Sequence, residues 1–119
     1  MGADQIDRRH RLQGLYAAFN RRDLPSLLAA LAPDVTWPNG WEGGTVHGRR
    51  EVADYWTRQW AEIDPTVSPV AYEAEDDGRT SVTVHQVVRD STGAIVVDER
   101  VRHVYRFSHD LVADMEIRR

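Results

Sequence analysis

Apolar residues recur along the first part of the chain with the period of a helix. Leu12, Leu15, Tyr16 and Phe19 fall at i, i+3, i+4 and i+7, one stripe of an amphipathic helix. Asn20-Arg21-Arg22 closes it, and Asp23 is placed to cap a second, short helix with Pro25 in its first turn. That helix carries Leu24, Leu27, Leu28 and Leu31 on one face, and Ala32-Pro33-Asp34 stops it. Val35-Thr36-Trp37 reads as extended and Pro38-Asn39-Gly40 as a turn, followed by a glycine-rich loop or irregular hairpin from Gly43-Gly44 to Gly48. A third helix, roughly Arg49 to Ile63, sets Val52, Tyr55, Trp56 and Trp60 on one side.

From Pro65 the period becomes two. Val70, Tyr72 and Ala74 alternate up to an Asp77-Gly78 turn, and Val82, Val84 and Val88 alternate up to Asp90-Ser91-Thr92-Gly93. Glu99, Val101, His103, Tyr105 and Phe107 share one face of a long strand, with Arg100, Arg102 and Arg106 on the other. Beyond Ser108-His109-Asp110, Leu111, Ala113, Met115 and Ile117 alternate against Asp114, Glu116 and Arg118. Three helices followed by a four-strand meander predict an α+β fold, with the helices on one face of an antiparallel sheet.

Composition narrows the chemistry. The 119 residues predict one domain, 1–119, with 41% hydrophobic and 29% charged residues. Cysteine is absent, which removes disulfides, thiolate nucleophiles and thiolate metal sites. All 15 basic side chains are arginine, so no lysine Schiff base can form. A net charge of −4 argues against nucleic acid as a partner. No apolar run is long enough to span a membrane, and the N-terminus has no signal-peptide pattern, so the expected location is cytoplasmic. The five histidines lack metal-ligand spacing and Gly43-Gly44 lacks a phosphate-loop context, so neither metal nor cofactor is expected. Arg8, Arg9, Arg11, Arg21 and Arg22, interspersed with Asp7 and Asp23, read as a solvated helix face.

Two stretches carry a family resemblance. Leu15-Tyr16-Ala17-Ala18-Phe19-Asn20-Arg21-Arg22-Asp23-Leu24 with Leu31-Ala32-Pro33-Asp34-Val35-Thr36-Trp37 resembles the first half of nuclear transport factor 2-like proteins. His103-Val104-Tyr105-Arg106-Phe107 and the closing strand from Leu111 to Ile117 resemble the second half. Within that superfamily the chain is most similar to the SnoaL-like branch, which includes polyketide cyclases and relatives of ketosteroid isomerase. The resemblance implies a cone-shaped, cystatin-like fold, in which a curved sheet wraps the helices around one apolar pocket, and a tendency to dimerise through the sheet. It leaves the reaction open, because this fold hosts many chemistries.

Ketosteroid isomerase works with an aspartate base and with a tyrosine and a protonated aspartate as oxyanion donors. By that likeness Asn39 takes the place of the base, and Leu15 that of the tyrosine. Tyr16 stands next to Leu15 and would enter the role by a helix rotation. His103 falls at the protonated aspartate, which is also the acid/base position of SnoaL-like cyclases. Steroid isomerisation is therefore disfavoured.

His103 is the candidate acid/base, since imidazole alone among side chains titrates near neutrality when unperturbed. The competing role is a buried histidine satisfied by Tyr16, Gln86 or a backbone carbonyl. Gln86 shares the parity of Val82, Val84 and Val88, so it is assigned to the pocket and His85 to the outer face; a slip of one residue would exchange them. Glu99, four residues before His103, is assigned to the solvated rim. Of the four tryptophans, Trp56 is assigned to the core and Trp37, Trp41 and Trp60 to the pocket or its mouth. The candidate ligand-contacting set is Tyr16, Trp37, Asn39, Trp41, Trp56, Trp60, Gln86 and Tyr105, around a small apolar molecule.

Three classes of function fit: a cofactor-free isomerase, cyclase or dehydratase using His103; a non-catalytic ligand-binding protein; and a dimerisation module with a vestigial pocket. A homodimer through the outer face of the sheet is expected from Val104 and Val112, which break an otherwise charged face.

Overall fold

The computed structural model describes residues 3–119, in the order α1 (Ala3–Asn20), α2 (Leu24–Ala29), β1 (Leu31–Pro38), β2 (Thr45–His47), α3 (Gly48–Glu62), β3 (Asp64–Ala74), β4 (Thr80–Arg89), β5 (Ile95–Ser108) and β6 (Leu111–Arg118). The fold is α+β: the helices pack on one face of a curved, unclosed sheet of six strands, ordered β2-β1-β6-β5-β4-β3. The meander expected from the period of two is β3 to β6. β1 and β2 extend it, and β1 lies parallel to β6, so one pair in an otherwise antiparallel sheet is parallel.

The helical stripes are buried as their spacing predicts. Leu12, Leu15, Tyr16 and Phe19 of α1 and Val52, Tyr55 and Trp56 of α3 join Val82, Val84, Val101 and Tyr105 of the sheet in one core. Asp23 caps α2 by accepting from the Ser26 amide. Leu31, expected on α2, instead starts β1 and pairs with Val112. Pro33 cannot donate to the carbonyl four residues back, and it disfavours helical backbone at Ala32, so the helix ends early and the chain goes straight into the sheet.

Two register shifts redirect side chains. In β3 the shift between Pro69 and Ala71 leaves Val70 half exposed and apart from Tyr72, whose partner across the sheet is buried Val82. β3 is an edge strand, which is why its prolines Pro65 and Pro69 are tolerated. In β6 the shift at Ala113 turns both Val112 and Met115 into the core.

The valines expected on the outer face are therefore not available there. Val112 is 2% exposed because the bulge turns it inward, and Val104, though of outward parity, is 0% exposed. On that face Val104 is aligned with Ser81 and Glu116, beside a cluster in which Arg118 bridges Glu75 and Glu116 and Arg79 joins Glu116. Arg100, Arg102 and Arg106 stay exposed, with no ion pair among the described residues.

Asn20, the last residue of α1, holds the helix to the sheet. Its amide donates to the Val67 carbonyl and accepts from the Val67 N–H, both at 2.9 Å, imitating a neighbouring strand at the edge of β3. We expect Asn20→Ala to lower unfolding free energy by about 2 kcal/mol in a denaturant titration, the sum of two lost hydrogen bonds.

Candidate functional site

Strand register builds the site. Glu99, Val101, His103 and Tyr105 alternate onto the helix-facing side of β5, with Gln86, Val84, Val82 and Thr80 of β4 directly opposite them. β6 sets Ile117 beside His103 and Met115 beside Tyr105. Tyr16 of α1 spans the two β5 side chains. Its hydroxyl lies 2.9 Å from His103 Nδ1 and accepts from the Tyr105 hydroxyl at 2.7 Å. The Tyr16 and His103 rings stack at 5.9 Å and 19°, and Tyr105 meets Tyr16 edge-on. No helix rotation is needed to bring Tyr16 in. Neighbouring positions on a helix differ by about 100°, so Leu15 and Tyr16 both reach a wide cavity wall.

The protonation pattern follows from these contacts. Tyr105 donates to Tyr16, so the Tyr16 proton goes to Nδ1 and the neutral imidazole carries its hydrogen on Nε2. Nε2 bonds to no described residue and is not sealed from solvent, so it opens onto the cavity. Burial lowers the His103 pKa to about 4, with help from the Arg119 charge. Burial also raises both phenols, Tyr16 and Tyr105, well above the ordinary phenol range. At neutral pH His103, Tyr16 and Tyr105 are all uncharged. The expectation that His103 cycles near neutrality is corrected: with little water to solvate an imidazolium, the site presents a hydrogen-bond donor. Glu99 and Arg119 also line the wall.

The cavity has a volume of about 380 Å³. Trp37, Trp56 and Tyr55 form one side, with Trp37 and Trp56 edge to face at 5.3 Å. Trp41, 42% exposed, stands at the rim with its indole N–H on Glu62. Gln86 lines the wall and His85 faces outward, bonded to Asp98. Glu99 and Arg119 pair with each other on the lining.

Two candidate contact residues lie elsewhere. Asn39 does not line the cavity. Its oxygen accepts from the amides of Trp41 and Glu42 and its nitrogen donates to Glu42, so the side chain is used up in holding the turn that places Trp41. Trp60 packs behind Phe19 and Trp56, stacked on Trp56 at 6.2 Å, with the Arg22 guanidinium over its ring. Sequence reasoning left out Tyr55, Gln59 and Arg119. Tyr55 was on the helical stripe already identified, and Arg119 continues the parity of Met115 and Ile117.

Fold and site together define a small α+β protein with a mainly apolar cavity walled in part by a buried tyrosine–histidine chain. The SnoaL-like domain family matches residues 12–115, and the chain belongs to that family. No curated protein matches it in sequence. A nuclear transport factor 2-like protein of unknown function from Burkholderia pseudomallei is 30% identical, with a TM-score of 0.81 over 93% of this chain and 88% of that one. A candidate polyketide cyclase from Xanthomonas campestris is 21% identical, with a TM-score of 0.78 over 97% and 91%. Rv0760c from Mycobacterium tuberculosis, solved in complex with estradiol-17beta-hemisuccinate, is 17% identical, with a TM-score of 0.80 over 93% and 92%. The last two likenesses show the fold.

The buried imidazole has a pH signature. The unfolded chain takes up a proton on His103 near pH 6.5, whereas the folded chain resists until about pH 4. Between those values the unfolded state binds more protons, so stability falls as pH falls, by on the order of 3 kcal/mol for this group. Denaturation from pH 7 to pH 4 is expected to show that slope in the parent protein and a shallower one in His103→Gln.

Proposed function

We propose that the protein is a cofactor-free enzyme acting on a small apolar carbonyl compound, with His103 as the group that polarises the carbonyl oxygen. The observation that carries this reading is the buried Tyr105–Tyr16–His103 chain ending on an Nε2–H open to an apolar cavity. A fixed donor in a water-poor site stabilises an oxyanion more than water does, because it does not reorient as charge develops. A neutral imidazole suits that task, and each hydroxyl behind it polarises the next as negative charge grows on the ligand. The carbon next to the carbonyl becomes more acidic, and its proton passes to a water molecule admitted beside it in the cavity, which later returns a proton to the enolate. Isomerisation, cyclisation and dehydration all share that enolate-forming step. That Rv0760c, of the same fold, was solved with a small molecule, estradiol-17beta-hemisuccinate, supports a small-molecule ligand.

The test is solvent deuterium exchange into the methyl group of 4-acetylbiphenyl, followed by NMR. The parent protein should accelerate it, His103→Leu should lower the acceleration by about 10²–10³-fold, and Tyr16→Phe should lower it by about 10-fold. A melting curve for each variant separates lost chemistry from lost fold. Binding without any acceleration would establish the second reading, a carrier that holds a ligand's carbonyl oxygen on a histidine kept neutral by burial.

Self-association through the outer face of the sheet now rests on charge, since Val104 and Val112 are already covered. Arg100, Arg102 and Arg106 form an exposed row that a second copy's acids would neutralise. Sedimentation at micromolar concentration is expected to show a dimer that weakens as salt rises. A single 13.6 kDa species at every salt concentration would remove this part of the proposal.

A further inference from the structure

An enolate-forming step needs somewhere to put the proton it removes. Asn39 cannot take it, because its side chain is used up in its own turn. Water accepts a proton far less readily than a carboxylate does. Among the described residues that line the cavity, Glu99 carries the only carboxylate. It sits on the same face of β5 as His103, four residues away, which separates the two Cα atoms by about 13 Å. Between them lie Val84 and Val101, paired across the sheet and buried.

That spacing excludes direct transfer. A carbonyl oxygen bound to Nε2 sets its α carbon about 5 Å from that nitrogen, which leaves Glu99 several ångströms short of the reacting C–H. One water that accepts from the carbon and donates to a carboxylate oxygen covers about 6 Å, and a glutamate side chain leaning along its strand covers the rest. Gln86 lies directly across from Glu99, lines the cavity and makes no hydrogen bond to a described residue, so its amide is free to hold such a water. The Arg119 guanidinium pairs with Glu99 and holds the carboxylate on the cavity wall. With these two side chains 37% and 60% accessible, the pair opens at little cost when the carboxylate takes a proton.

We propose that Glu99 stores the proton during the reaction, working through a water held between its carboxylate and the Gln86 amide. The C–H bond breaks and its electron pair becomes the enolate, whose oxygen rests on the His103 Nε2–H. The proton passes to the water, and the water gives one of its own to a Glu99 oxygen. Reprotonation runs the same way in reverse, and solvent deuterium enters because Glu99 and the water exchange with the bulk between the two steps. This role rests on the reading of His103 as the donor to the carbonyl oxygen. Glu99 and Gln86 are then positioning residues that act through the water, and Arg119 acts through Glu99.

Chemical rescue tests it, with deuterium exchange into 4-acetylbiphenyl as the readout and quenching of tryptophan fluorescence as the measure of probe binding. Glu99→Ala and Glu99→Gln should each lower exchange by about 10²-fold, the low end of what a general base contributes, while the probe still binds. Added sodium formate should restore exchange in Glu99→Ala, where the deleted side chain leaves room beside an unpaired Arg119. It should not do so in Glu99→Gln, where the amide fills that room. Gln86→Leu should lower exchange by about 10-fold, through the loss of one hydrogen bond to the water. A merely structural Glu99 would show as a lowered melting curve and no response to formate. Exchange that Glu99→Ala leaves unchanged, or a loss that formate does not restore, overturns this role and leaves the catalytic reading standing. No exchange in the parent protein overturns both.

Discussion

A histidine and two tyrosines sit in the core because they satisfy one another. Each polar atom buried without a partner costs free energy comparable to a lost hydrogen bond, and charge costs far more. The Tyr105–Tyr16–His103 chain meets that constraint with one phenol donating to the next and the last donating to Nδ1. α1 must therefore lie where Tyr16 reaches two side chains of β5. The one polar atom left over, Nε2, faces the empty space the helices enclose. Structure and proposed chemistry thus come from the same hydrogen-bond arithmetic.

The cavity exists because the sheet bends away from the helices faster than side chains fill the gap. Bulges at Val70 and Ala113 supply part of the bend, and each also decides which side chains face inward. Asn20 ties the end of α1 to the edge of β3, while Asn39 shapes the turn that carries Trp41 to the rim. The large aromatics wall the space instead of plugging it: Trp37 and Trp56 meet edge to face, and Trp60 backs them from behind.

Much of this was legible in the sequence. The stripe of Leu12, Leu15, Tyr16 and Phe19, the inward parity of His103 and Tyr105, and the choice of Gln86 over His85 follow from periods of 3.6 and 2, because burial repeats with backbone geometry. A bulge leaves no trace in an alternating pattern, so Val70 was grouped with Tyr72 and Val112 was assigned to the outer face. Asn39 was misplaced because a family position says where a residue stands along the chain. Its hydrogen bonds depend on how the next three residues turn.

The sequence by itself determined the element types, the faces they bury and the residues able to carry chemistry, since each depends on neighbours a few positions away. Only the tertiary structure decided that β1 runs beside β6, that Trp60 is excluded from the cavity, and that Arg119 meets Glu99 across the mouth. It also decided the state of His103. An imidazole's proton affinity is set by how much water and charge surround it, and that environment is assembled from α1, β5 and Arg119, segments far apart in the chain.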